Sequence, residues 1–364
     1  MPDLFAPMTL AHGPAMKSRF ALAPLTNQQS NPDGTLSDDE FRWLTYRAEG
    51  GFALTMTCAA HVQRIGQGFS GQLGIFGDEH LTGLTRLAAE IKRNDSVAVV
   101  QLHHAGMRSP NDLIGQAPVA PSHDETTGSR GLSTAEVEQL AEDFIVAALR
   151  AEQAGFDGIE IHGAHSYILC QFLTEGLNRR DDRYGGSAEN RARLLNDIIH
   201  GIRARCRPDF SLGLRLSPER FGLKLMEIRE LARHVLAEGA IDYLDLSLWD
   251  YSKLPVDEAY QDRTLMAWFT DLPRGDVRLG CAGKIMTPDD ALACLQRGID
   301  FVLLGRAAIL HHDYPQRLAA DPGFTHIATP VSADYLRAEG LGPAFVKYMQ
   351  TWQGFVAEPE SALA

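Results

Sequence analysis

The chain has 364 residues, of which 45% are hydrophobic and 22% charged, and its formal net charge is −13. That composition excludes a disordered chain, and the negative balance argues against bulk attraction to nucleic acid or an anionic membrane surface. A phosphate-bearing ligand stays open, because a nest of backbone N–H groups with one Arg is enough to hold one.

No apolar run reaches the roughly 18 residues of a membrane span. The start, Met1-Pro2-Asp3-Leu4-Phe5, lacks the basic and apolar regions of a secretory signal, so a cytoplasmic address is expected. The five cysteines, Cys58, Cys170, Cys206, Cys281 and Cys294, are scattered without a C-x-x-C pair. They predict neither a disulfide framework nor a metal cluster, and read as small buried apolar residues.

In chain order, residues 1–18 fit no repeat and are expected to form a lid across the N-terminal mouth of the fold. Beyond them, short runs rich in Val, Ile and Leu read as buried strands, and longer stretches with helical spacing read as amphipathic helices. Candidate strands cover 19–25, 52–58, 97–103, 158–162, 211–216, 243–247, 277–282 and 301–304. The helix after Ser133 opens on a Ser133/Glu136 capping box and lines up Val137, Leu140, Phe144, Ala148 and Ala151 on one face. Gly155 stops it, and Asp157 leads into the next strand. The same phrase, a Gly stop, an Asp and a strand, returns at Gly239/Asp242 and Gly298/Asp300. Thr287-Pro288-Asp289-Asp290 marks another helix start.

Alternating strands and helices favour a parallel sheet, and eight such units predict closure into an α/β (β/α)8 TIM barrel in a single domain, residues 1–330. No Gly-x-Gly-x-x-Gly opens a helix after the first strand, which argues against a dinucleotide-binding fold. Residues 104–133 and 248–264 are long excursions where barrels place substrate-shaping loops. Residues 331–364 are a C-terminal appendage, expected to pack on the barrel or on a neighbouring subunit in a homo-oligomer.

Barrel active sites lie at the C-terminal ends of strands. Polar residues gather there: Thr26, Gln101 with His103, His162 with His165, Arg215, Gly283 with Lys284, and Gly305 with Arg306. The densest group is His162-Gly163-Ala164-His165-Ser166-Tyr167. Its two imidazoles have three readings: structural, binding of a substrate carbonyl, or metal ligation. A metal would need a third ligand and the His-Glu-x-x-His spacing, which is absent, so none is expected. Gln101 and Arg215 on separate strands strengthen the carbonyl reading, with Tyr167 as a nearby proton donor. Gly283, Lys284, Gly305 and Arg306 follow the seventh and eighth strands, where many barrels bind phosphate, although tight turns would also use these glycines. Arg215 in an apolar strand needs an anionic partner, either Asp245 or Glu160 structurally, or a flavin edge.

Over about residues 3–325 the chain resembles the old yellow enzyme family of flavin oxidoreductases. The resemblance rests on His162 to Tyr167, Gln171-Phe172-Leu173, Asn178-Arg179-Arg180 and Tyr184-Gly185-Gly186-Ser187 through Asn190-Arg191. Pro24-Leu25-Thr26, Gln101-Leu102 and Gly305-Arg306 fall in the family's order. It implies bound FMN and a reduced nicotinamide, NADPH or NADH. Pro24, Leu25, Thr26 and Ala59 would line the isoalloxazine, Gln101 and Arg215 its pyrimidine edge, and Gly283, Lys284, Gly305 and Arg306 the phosphate. His162 and His165 would anchor the carbonyl of a small-molecule activated alkene, and Tyr167 would protonate it. The resemblance further implies that Arg337 can reach a neighbour's active site, as a C-terminal Arg does in some relatives.

The chain departs from the family at Gln28, where one subclass has a pocket Tyr, and at His103, where members often have Trp or a small residue. Both predict a more polar substrate pocket. Thr26 stands where many bacterial members carry Cys. The competing readings are an amine (N-methyl) demethylase on the same barrel, a metal-dependent barrel hydrolase using His162 and His165, and a flavin binder without physiological catalysis.

Overall fold

Eight parallel strands close into a barrel in simple sequential order: β1 (Phe20–Leu22), β2 (Leu54–His61), β3 (Val97–His103), β4 (Gly158–Gly163), β5 (Ser211–Leu216), β6 (Tyr243–Ser247), β7 (Arg278–Ala282) and β8 (Phe301–Leu304), which pairs back onto β1. The structure, a computed structural model, describes residues 3–358. It is the TIM barrel that the strand and helix pattern predicts. Continuous apolar runs form these strands because both of their faces are buried, one by the barrel interior and one by the surrounding helices.

Two strands end three residues away from the sequence reading, and the other bounds agree within two. The first strand stops at Leu22, three residues early, since Pro24 has no N–H to carry the ladder further. The second runs on to His61, with an irregular register between Met56 and Ala59 that re-aims its end. Both predicted helix starts are present. Ser133 and Glu136 form a reciprocal capping box on helix Thr134–Gln153, as Thr287 and Asp290 do on helix Pro288–Gln296.

Strand alternation sorts the interior into layers. At the bottom, Leu54, Met56, Val97, Val99, Tyr243, Phe301 and Leu303 pack together, and Met8, Leu10 and Met16 of the N-terminal segment join them as a plug. The large rings fit because glycine faces them. Gly213 is in register with Tyr243, and a Cβ there would lie 2.1 Å from the ring; Gly280 faces Phe301 in the same way at 2.4 Å. Gly213→Ala is therefore expected to cost about 1–3 kcal/mol by overpacking, read as a lower urea midpoint with an unchanged slope.

The loop after β3 carries a short helix, Asn111–Ile114, and a two-stranded ribbon, Val119–Ala120 with Arg130–Gly131. Helix Pro343–Gln350 of the C-terminal segment packs on this chain's own barrel, with Phe345 edge-on to Trp43 at 4.8 Å. Arg337, in helix Ala333–Ala338, is exposed and pairs with Asp334. His311 is buried and accepts from the Ile327 N–H. All five cysteines are free.

Candidate active site

Two residues up from the plug, the same alternation turns Gln101, Glu160, Arg215 and Asp245 into the barrel. Gln101 is in register with Glu160, and Arg215 with Asp245. Gln101 Nε2 donates to Glu160 Oε1 at 2.7 Å, and Arg215 Nη1 to Asp245 Oδ2 at 2.7 Å. Arg215 thus pairs with one of two fully buried carboxyls and acts on the other, Glu160, only through its charge. Burial pushes both acids up: Asp245 adds to the rise at Glu160, while Arg215 pulls the two of them back. Arg215 Nε and the outer oxygens Glu160 Oε2 and Asp245 Oδ1 have no partner among the described residues.

The next step up the strands brings in His103, His162 and Ser247. The Ala164 N–H donates to His162 Nδ1 at 3.2 Å, so His162 keeps its proton on Nε2, which has no partner among the described residues. His165 and Ser166 adopt left-handed backbone, each at φ 59°. This turn is fixed by the His165 N–H donating to Ser217 Oγ at 3.1 Å, and His165 Nε2 lies 2.6 Å from Ser247 Oγ. Ser247 also accepts from Arg215 Nη2 at 3.3 Å. The rings of His162 and His165 stand 5.1 Å apart, and that of Tyr167 is 5.0 Å from His162.

Burial depresses both imidazoles; His165, His103 and Arg215 lower His162 further, and Arg215 and Arg108 lower His165, which falls to about 3. They are neutral near pH 7. Burial also raises the Tyr167 phenol, which the Arg108 cation partly reverses. Arg108 lies over the Tyr167 ring, 4.8 Å from its centroid, and donates to the His165 carbonyl at 2.6 Å.

These groups face a chamber of about 530 Å³ lined by Pro24, Leu25, Thr26, Ala59, Gln101, His162, His165, Tyr167 and Arg215. Arg108, Phe69, Phe221, Trp249, Ile309, Phe345, Tyr348, Met349 and Trp352 complete its wall. A second space of about 200 Å³, lined by Gly283, Lys284, Gly305 and Arg306, shares Pro24, Leu25, Arg215, Trp249 and Trp352 with it. The structure therefore brings thirteen predicted residues to one elongated cavity. It leaves two outside. His103 is fully buried behind Tyr167, ring centroids 4.2 Å apart, with Nδ1 bound to Gln72. Gln28 sits with its backbone against Gly71 and does not line the chamber.

Sequence reasoning missed Ser247, Arg108 and the C-terminal roof of Tyr348, Met349 and Trp352. Ser247 was visible as the polar end of an apolar strand. The roof left no signal, because only a long-range contact brings it there.

A profile of the NADH:flavin oxidoreductase / NADH oxidase family matches residues 3–322. The chain belongs to this family, the old yellow enzymes. It is 36% identical over 318 residues to the probable NADH-dependent flavin oxidoreductase YqiG of Bacillus subtilis (strain 168), covering 84% of this chain and 85% of that protein. An NADPH dehydrogenase of Bacillus cytotoxicus is 31% identical, over 88% of this chain and 93% of that one. In fold, the old yellow enzyme homologue from Zymomonas mobilis superposes with a TM-score of 0.80 at 24% identity, over 95% and 99% of the two chains. The protein is thus an NAD(P)H-dependent flavin oxidoreductase.

The cavity fits such a group. Its long chamber has a polar edge at Gln101, whose Oε1 makes no hydrogen bond among the described residues, and at Arg215, whose Nε has no partner among them. At the far end, Gly305 leaves open space, where a Cβ would meet only Leu25 at 3.4 Å. Arg306 makes no ion pair among the described residues, whereas Lys284 already pairs with Asp250 at 3.0 Å. Among the described residues, no helix is long and apolar enough to cross a membrane.

Proposed function

We propose that this old yellow enzyme is an FMN-dependent ene reductase, acting on the C=C bond of α,β-unsaturated carbonyl compounds with NADH or NADPH as reductant. The observation that carries the reading is the convergence of His162, His165 and Tyr167 on the chamber that also holds Thr26, Ala59, Gln101 and Arg215. When bound, FMN supplies the hydride, taken from the nicotinamide and delivered to the alkene's β-carbon.

The rest falls to the chain's own residues. Pro24, Leu25, Thr26 and Ala59 give the ring a mostly apolar seat; Gln101 and the Arg215 cation meet its pyrimidine edge, where negative charge develops on reduction. Gly283, Gly305 and Arg306 would hold the phosphate, with Lys284 turning from Asp250 to join them. His162 offers a fixed Nε2–H to the substrate carbonyl, and His165, anchored by Ser247, completes the pair; together they stabilise enolate-like charge. Tyr167 remains a phenol at neutral pH, as a proton donor to the α-carbon must.

Neutral donors imply a flat pH response. The alkene-reducing half-reaction, followed by stopped flow, is expected to hold steady between about pH 6 and 9, since no imidazole in the pair titrates there. A drop with an apparent pKa near that of free His would show a charged donor instead.

The reading is tested by the visible spectrum. A flavin band near ~450 nm that bleaches with NADPH without oxygen and returns with cyclohexenone supports cofactor, reaction and order together. Oxidation of methylated amines without response to the enone would move the protein to demethylation. A colourless protein that takes up no FMN would sink the proposal.

A further inference from the structure

The main chamber carries an electrostatic imbalance. Among the described residues its lining holds two arginines, Arg108 and Arg215, and no Asp or Glu side chain, in a chain whose formal net charge is −13. Arg215 is answered from behind by Asp245. Arg108 is not: among the described residues it makes no ion pair, although most arginines outside the cavity do.

Arg108 is also held in place. Its Nη1 donates to the His165 carbonyl at 2.6 Å, and its guanidinium plane rests over the Tyr167 ring at 4.8 Å. One of its five N–H donors is therefore used, and the others are left to the chamber side or to solvent. Arg108 is an exposed cation at the chamber wall, held beside the carbonyl-binding His165 and the proton-donating Tyr167 and without an ion pair among the described residues, and so is a half-site for an anionic group.

We infer that the enzyme prefers alkenes that carry a carboxylate in addition to the activating carbonyl, and that Arg108 receives this carboxylate. His162 and His165 would hold the carbonyl, and Arg108 an anion one short linker away, so that the two contacts together set the substrate's direction over the ring. The inference rests on the ene-reductase reading and names the substrate class for that same site. A second anion that would approach Arg108 is the pyrophosphate of the nicotinamide, and the test separates the two.

The test uses FMN-loaded protein and two enones, one with a carboxylate two methylenes beyond its β-carbon and the other its primary amide. The readout is the ratio of kcat/KM for the acid to that for the amide, so that any general loss of activity cancels. In Arg108→Gln this ratio is expected to fall about tenfold or more, as for loss of a charge-assisted hydrogen-bonded contact, and Arg108→Lys to recover part of it. Binding of benzoate against benzamide, measured by calorimetry without turnover, is expected to shift in the same direction. An unchanged ratio in Arg108→Gln overturns the inference, as does an effect confined to the affinity for NADH or NADPH, which would assign Arg108 to the pyrophosphate. If neither enone is reduced, the ene-reductase reading fails, and the benzoate arm alone then decides whether Arg108 is an anion site.

Discussion

Tyr167→Phe is expected to slow the alkene-reducing half-reaction by about 10²–10⁴-fold while leaving the nicotinamide-driven bleaching of the flavin close to wild type. The phenol oxygen makes no hydrogen bond to the described protein, so removing it orphans no partner and leaves the ring's packing against His103 and His162 in place. Stopped-flow separation of the two half-reactions checks this directly. A loss smaller than threefold would mean that water or another group protonates the α-carbon. Equal losses in both half-reactions would mean that Tyr167 shapes the chamber rather than donating a proton.

The largest structural effect is expected at Arg215. Arg215→Met keeps much of the side chain's volume but strands Asp245 and Glu160, fully buried and each already missing a partner on one oxygen. Breaking a buried pair in this way typically costs about 3–5 kcal/mol. The sign of its pH dependence follows from the acids. Their folded pKa values lie above the unfolded ones, so the protonated forms are the ones the fold tolerates. Stability is present at pH below the unfolded pKa and is lost as pH rises through the folded pKa. Without the Arg215 cation the folded values rise further, so the deficit of the variant should be greatest at alkaline pH and shrink toward pH 5. Urea denaturation at several pH values measures it. A deficit independent of pH would assign the loss to packing alone.

Much of the barrel was legible in the sequence because its signals are local. Apolar runs punctuated by Gly and Asp mark the strands, and Ser133 and Thr287 cap helices through contacts spanning three residues. The candidate site was legible for a related reason: polar residues at the ends of apolar strands have few structural uses. What the chain order hides is register. That Arg215 stands beside Asp245, and Gln101 beside Glu160, depends on pairings between separate strands. Arg215 was open to either of two acids, and the register decides for Asp245. His103 shows the converse. Its place in sequence, two after Gln101, points it into the barrel, but Gln72 and Tyr167 enclose it, so it supports the wall and does not line the chamber. The roof formed by Tyr348 and Trp352 depends on a contact from the far end of the chain.

The lining of the joined cavity has a mechanical consequence. Ala59, Gln101, His162, Arg215, Ser247, Ala282 and Leu303 belong to β2 through β8, and Ala23 to Leu25 continue β1, so every stave of the barrel touches the space. An occupant that fills it is therefore a keystone as well as a reagent, tying the ring together at its open end. Mass action sets the size of this effect at about 2.7 kcal/mol for free ligand at a hundredfold excess over Kd. Flavin-stripped protein should melt at a lower temperature than the loaded form and regain the difference on titration with FMN. The catalytic group would then also report on the integrity of the barrel around it.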